Sequence, residues 1–187
     1  VQTCALPILA AGDSLYRSLD GGDTWTGVFG GQCQSVTANP LNPAVVYALR
    51  YDAADKIPYF YKSTDSGWTF VRKPTGSFTV PAVDVGLIES FGGRIATTEA
   101  DTSRLYVLLV GQSQSAAQLQ LNGQIGVYRS DDGGESWSNP HGQIGAPYNS
   151  GTHPNMMTFS GDNDTYNQIY YNTTLAVSQL DADRILI

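Results

Sequence analysis

One eight-residue pattern occurs three times in the chain: SLDGGDTW at 18–25, STDSGWTF at 63–70 and SDDGGESW at 130–137. In register they read Ser-x-Asp-x-Gly-x-(Thr/Ser)-(Trp/Phe), with Asp20, Asp65 and Asp132 in third place. Such a run is too polar and too rich in glycine to be a strand, and it reads as a tight corner. Gly22, Gly67 and Gly134 supply the positive φ that a turn of this kind needs. Ser18, Ser63 and Ser130, with the three aspartates, can bond turn amides that no neighbouring strand reaches. Thr24, Thr69 and Ser136 add a second hydroxyl, and Trp25, Phe70 and Trp137 open the next strand. Each ring can fold over its corner and bury about 150–250 Å². The aspartates therefore read as structural, because a catalytic acid is needed once per site and this one returns with every corner.

The corners belong to a longer repeat. A short apolar strand precedes each: LYRS (15–18), FYKS (60–63) and VYRS (127–130). Period-2 alternation puts Tyr16, Tyr61 and Tyr128 on one side and Arg17, Lys62 and Arg129 on the other. Between the corners, SVTANPLNPAVVYAL (35–49), RIATTEADTSRLYVLL (94–109) and TLAVSQLDADRILI (174–187) each read as strand, polar turn and strand. Asn42, Asp101 and Asp181 share the turn position, where Asn and Asp side chains bond nearby backbone. One unit is thus strand A, turn, strand B, loop, strand C, corner, strand D: a four-stranded antiparallel meander. A lone sheet of this kind has two apolar faces and cannot bury both. Stacking sheets radially does, so the expected fold is all-β, a partial β-propeller of four-stranded blades. The end of one blade falls at 9–33, full blades at 34–90 and 91–140, a long loop at 141–173 and the start of a further blade at 174–187.

Composition agrees: 20 glycines and 11 tyrosines with only 14% charged residues suit tight turns and strands. A net charge of −7 and a pI near 4.5 argue against nucleic acid or an anionic membrane as partner. No apolar run approaches the ~20 residues of a membrane span, so no membrane insertion is expected. Cys4 and Cys33 are the only cysteines and admit either one disulfide or two free thiols. VQTCALPI at the start has neither Met nor a basic region, and residues 1–8 read as a non-native leader. DRILI at the other end stops inside an apolar run, so both ends read as cut.

With three corners in frame, each following a Φ-Tyr-(Arg/Lys)-Ser strand, residues 9–187 resemble the Asp-box (BNR) repeat family. Its members include sialidases, xyloglucanases and sortilin-type receptors. The resemblance implies an extracellular or cell-surface propeller of six to ten blades, completed by blades beyond this sequence. The boxes would sit at the periphery, away from the binding face. QIYYNTTLAVSQLDADRILI (168–187) looks closer to exported bacterial relatives of the xyloglucanase and sortilin branches than to sialidases. A sialidase would need three arginines on a substrate carboxylate and a Tyr–Glu pair, yet Arg17 and Arg129 flank boxes and no Arg-Ile-Pro signature precedes the first.

Propeller ligands meet the face built by the D–A and B–C connections, expected here at 50–58, 71–93, 110–125 and 138–173. Long connections of this kind are usually functional or unstructured. Tyr51, His141, Tyr148, His153 and Tyr166 are the candidate ligand-binding residues, since amphipathic rings among scattered carboxylates suit sugar stacking. Hydrolysis of a glycoside needs two carboxyl groups, ~5 Å apart for retention or ~6.5–9.5 Å for inversion. Asp52 is the first candidate, with Asp55 beside it in RYDAAD. No cofactor is expected, and no metal: DNDTYN (162–167) lacks the glycine and distant glutamate of a calcium loop, and the two histidines have no cysteine near. Two functions stay open. One is a propeller that binds a glycan or a protein on its loop face; the other is a glycoside hydrolase of the xyloglucanase or β-glucanase type.

Overall fold

The structure, a computed structural model, describes residues 8–55, 57–73, 88–113, 123–141 and 173–187. Within these, every regular element is a strand. β1 (Ile8–Ala11), β2 (Ser14–Arg17) and β3 (Thr26–Gly30) form the first sheet, in the order β1-β2-β3. β4 (Cys33–Ala38), β5 (Val46–Asp52), β6 (Ile57–Ser63) and β7 (Val71–Arg72) form the second, in chain order. The third contains β8 (Ile88–Thr97), β9 (Leu105–Ser113), β10 (Gly123–Ser130) and β11 (Ser138–His141), also in chain order, and β12 (Ala176–Val177) pairs with β13 (Ile185–Leu186). All pairings are antiparallel, each strand beside its neighbour in sequence. The fold is all-β, a set of meander blades fitting part of a propeller. No helix among the described residues is long and apolar enough to cross a membrane.

Strand alternation settles how the sheets stack. Phe60 and Lys62 of β6 face the third sheet, whereas Tyr61 between them meets Phe29 of the first at 4.8 Å between ring centroids. Among the described residues three apolar cores follow, one per junction. Leu15, Phe29, Tyr61 and Phe70 fill the first junction with Ala48 and Cys33. Tyr47, Leu49 and Phe60 meet Ile95, Val107, Tyr128 and Trp137 in the second. Ala96, Leu108 and Val127 meet Val177, Leu175 and Ile185 in the third. The third sheet is thus buried on both faces, and Leu105 to Val110 form an unbroken buried run. Such a run, apolar on consecutive residues, is what a strand sandwiched between two sheets requires.

Polar contacts tie the same junctions. Arg94 of β8 donates to Gln34 O (3.3 Å) in the second sheet and to Thr173 O (3.0 Å) before β12. Arg104 pairs with Asp183 at 2.5 Å and with Asp131, and Tyr106 donates to Ala182 O at 2.8 Å.

Several sequence expectations change. The connections expected at 71–93, 110–125 and 138–173 are shorter, since β7, β8, β9, β10 and β11 take residues from their ends, His141 among them. Ile8, assigned to the leader, pairs with Arg17 and packs in the first junction, because β1 needs an apolar residue there. Residues 50–58 are no long loop: β5 runs to Asp52 and β6 starts at Ile57, leaving four residues between them. Polar residues extend these strands because their backbone still pairs, Tyr51 with Pro58 and Asp52 with Ile57. The third blade begins at Ile88 rather than at residue 91. Cys33 is buried and unpaired; Cys4 lies outside the described residues.

Candidate ligand-binding site

Each sheet has two ends, and they differ in chemistry. The first carries the repeated corner beside the A–B turn: Ser66 N donates to Ala44 O and Gly133 N to Ser103 O, both at 2.8 Å. The three corners have one geometry. The serine oxygen accepts the amide of the box glycine, at 2.8 Å for Gly22 and 2.9 Å for Gly67 and Gly134. Its hydroxyl donates to the aspartate at 2.7–2.8 Å. The aspartate accepts the amide of Thr24, Thr69 or Ser136 at 2.8–2.9 Å, and its other oxygen takes that residue's hydroxyl. These bonds hold the carboxylates ionised. Asp65 is lowered to about 2, first by the Thr69 hydroxyl and then by the Thr69 amide. At Asp132 burial pulls upward, but the Ser136 and Ser130 bonds outweigh it and the carboxyl again falls to about 2. Each of the three carboxylates accepts from hydroxyls and amides of its own corner and is committed there.

The corner holds two consecutive residues at positive φ. Gly21 and Gly22 stand at 78° and 107°, Gly133 and Gly134 at 70° and 91°. In the second corner Ser66 takes the first place at 61°, the one non-glycine at positive φ among the described residues. The terminal rings diverge. Phe70 stacks on Phe29 of the preceding sheet at 4.9 Å, and Trp137 meets Phe60 edge-on at 5.0 Å. Trp25 instead folds onto its own corner, donating to Gly22 O at 2.9 Å, and is 42% exposed.

The opposite end carries the β5–β6 hairpin, where sequence reasoning placed Tyr51, Asp52 and Asp55. Asp52 Oδ1 accepts the amides of Ala54 (2.9 Å) and Asp55 (3.1 Å), an Asx turn that closes the hairpin. Those two bonds, Asp55 first, hold the Asp52 carboxyl below its ordinary value, helped by Arg72 and Arg50. The Tyr59 hydroxyl donates to Asp55 Oδ2, and burial followed by this bond raises the Tyr59 phenol. Arg72 lies over the Tyr59 ring at 3.3 Å. Beside it, Tyr51 N donates to Gln32 O at 2.8 Å, and Arg50 lies over Phe29 at 5.1 Å and Tyr61 at 5.9 Å. The hairpin end is therefore a patch of aromatic ring, guanidinium and ionised carboxylate.

Tyr59, Arg50 and Arg72 were not among the sequence candidates, and only strand register brings them to Asp52. Arg50↔Tyr59 is a direct cross-strand pair, a signal that a correct β5–β6 alignment would have given. His141 ends β11; Tyr148, His153 and Tyr166 lie outside the described residues. Among the described residues no group of three or more His, Cys, Asp or Glu could hold a metal ion.

No family model matches the chain. No curated protein matches it by sequence. Solved structures do match. A GH74 enzyme from Niastella koreensis aligns over 76% of this chain and 20% of its own, at 18% identity and a TM-score of 0.52. The GH74 xyloglucanase from Xanthomonas campestris aligns over 92% of this chain and 22% of its own, at 16% identity and a TM-score of 0.52. Both are β-propellers, and the chain shares that fold over about a fifth of their length.

Proposed function

We propose that the chain supplies blades to an exported or cell-surface propeller of the Asp-box kind, which binds a glycan or protein ligand at the hairpin end of its sheets. The observation that carries this reading is the commitment of both candidate carboxylates to their own hairpin. Asp52 is closed by two amides and Asp55 by Tyr59, beside an exposed Arg72 stacked on a ring. Fixed rings and charges that need no rearrangement suit binding, since little side-chain freedom is lost when a ligand arrives. The box carboxylates serve the corners.

A second reading, glycoside hydrolysis, is favoured by the fold shared with GH74 enzymes. In that reading Asp52, held ionised, serves as base or nucleophile, and the general acid comes from another residue. One experiment separates the two: the full-length protein is tested against a polysaccharide panel that includes xyloglucan, by binding isotherm and by reducing-sugar release. Binding without release, weakened at least about tenfold in Arg72→Ala, is expected. Release that falls with Asp52→Asn would replace binding by catalysis, and neither binding nor release on any substrate would remove the glycan.

A further inference from the structure

The repeat identifies a missing partner at the first junction. The basic residue of each third strand points across to the next sheet. Lys62 reaches the sixth box position there, Glu135, at 3.2 Å, and Gly133 O at 3.0 Å. Arg129 bonds Asp131 of its own box at 3.0 Å and reaches across to Asp183, between β12 and β13, at 3.5 Å. Arg17 holds the same strand position, but the sixth place of the box opposite is Trp68. The guanidinium stacks on that indole at 4.1 Å. A ring face favours a cation but accepts none of its in-plane N–H bonds. Arg17 is only 5% exposed, and among the described residues its Nε and Nη1 have no hydrogen-bond partner. Buried guanidinium donors without an acceptor are rare, and each calls for a group that completes them.

Arg17 also lines a cavity, with Leu19, Thr24, Thr26 and Trp68, of about 60 Å³. That is far below the ~300–1,000 Å³ of pockets that take whole small molecules, so the space suits one functional group. Asp20, the nearest box acid in sequence, is committed to Ser18 and Thr24 and makes no ion pair with Arg17. We propose that the cleft between the first and second sheets is a site for a single small carboxylate anion, held by Arg17 under the Trp68 ring. The anion takes the place that the Glu135 carboxylate fills at the next junction. The half-exposed Trp68 is the side from which it enters.

The test is thermal unfolding of the 187-residue chain at fixed pH and ionic strength, with sodium acetate replacing sodium chloride. Acetate is expected to raise Tm saturably, by about 2–4 °C at several times its Kd, and Arg17→Met to abolish the rise. Trp68→Glu supplies the carboxylate from within: Tm without acetate rises and the acetate response disappears. An acetate curve that overlays the chloride curve overturns the proposal, as does an undiminished response in Arg17→Met. Should Arg17→Met fail to fold, Trp68→Glu decides, and a response equal to that of the unaltered chain overturns it.

Discussion

Gly134 lies against the ring of Phe60 across the second junction: a Cβ at Gly134 would stand 2.4 Å from Cε1 and 2.7 Å from Cζ. Phe60 is fully buried and is held in turn by Tyr47 and Trp137, so the ring has no room to withdraw. The box glycine therefore meets two demands at once, a left-handed backbone and a close approach between sheets. Gly67 repeats the relationship with Ile8, at 2.8 Å.

Gly134→Ala is expected to cost about 2–5 kcal/mol, combining ~1–2 for the left-handed backbone with ~1–3 for overpacking. Gly21→Ala, at φ 78° with nothing within 4 Å, carries the backbone cost alone. Urea unfolding of the two variants checks this. Equal losses would mean that the close approach to Phe60 contributes nothing.

Ser66→Gly is expected to stabilise the chain by roughly 0.5–1 kcal/mol. The left-handed strain of ~1–2 kcal/mol disappears, offset in part by the added freedom of glycine in the unfolded chain. The bond from the residue 66 amide to Ala44 O survives the change. A rise in Tm of about 1–4 °C follows for a chain of this size, and a fall would remove the strain argument.

Acid should weaken the corners in a defined window. The Asp65 carboxyl stands at about 2 when folded against 3.8 ordinarily, and Asp132 likewise at about 2. A depressed folded value gives stability that is complete above the unfolded value and lost as pH falls through the folded one. Unfolding midpoints should therefore be flat above pH ~5 and drop between pH ~4 and 2. Asp132→Asn should flatten part of that drop; an unchanged acid limb in this variant would show that the corner carboxylate is not its source.

Tyr59→Phe removes the anchor of Asp55 and should loosen the 52–57 hairpin. The expected cost is about 1.5–3 kcal/mol, since the bond ends on a charged acceptor. Faster hydrogen exchange at the amides of Ala54 and Asp55, with exchange in β9 unchanged, is the checking measurement. Uniform acceleration would instead indicate global destabilisation.

The corners were legible in the sequence because every bond that makes them is local. Ser18 to Gly22 and Asp20 to Thr24 each span four residues, so residue type and spacing alone specify the turn. The meander was legible for the same reason: each strand pairs with its sequence neighbour, and a corner or a polar turn marks the reversals. The ends of β5 and β6 were not legible, because polar residues there still pair through the backbone and composition marked them as loop.

What the sequence by itself determined is the unit: four strands, a fixed corner and a basic residue on a known side of the third strand. What each unit meets was decided only by the tertiary structure. Arg17 and Trp68 lie 51 residues apart, Lys62 and Glu135 73, and Arg104 and Asp183 79. Local rules repeat identically in every blade, whereas a junction is made by two side chains chosen far apart in the chain. The same strand position is therefore ion-paired at Lys62 and stacked without an acceptor at Arg17.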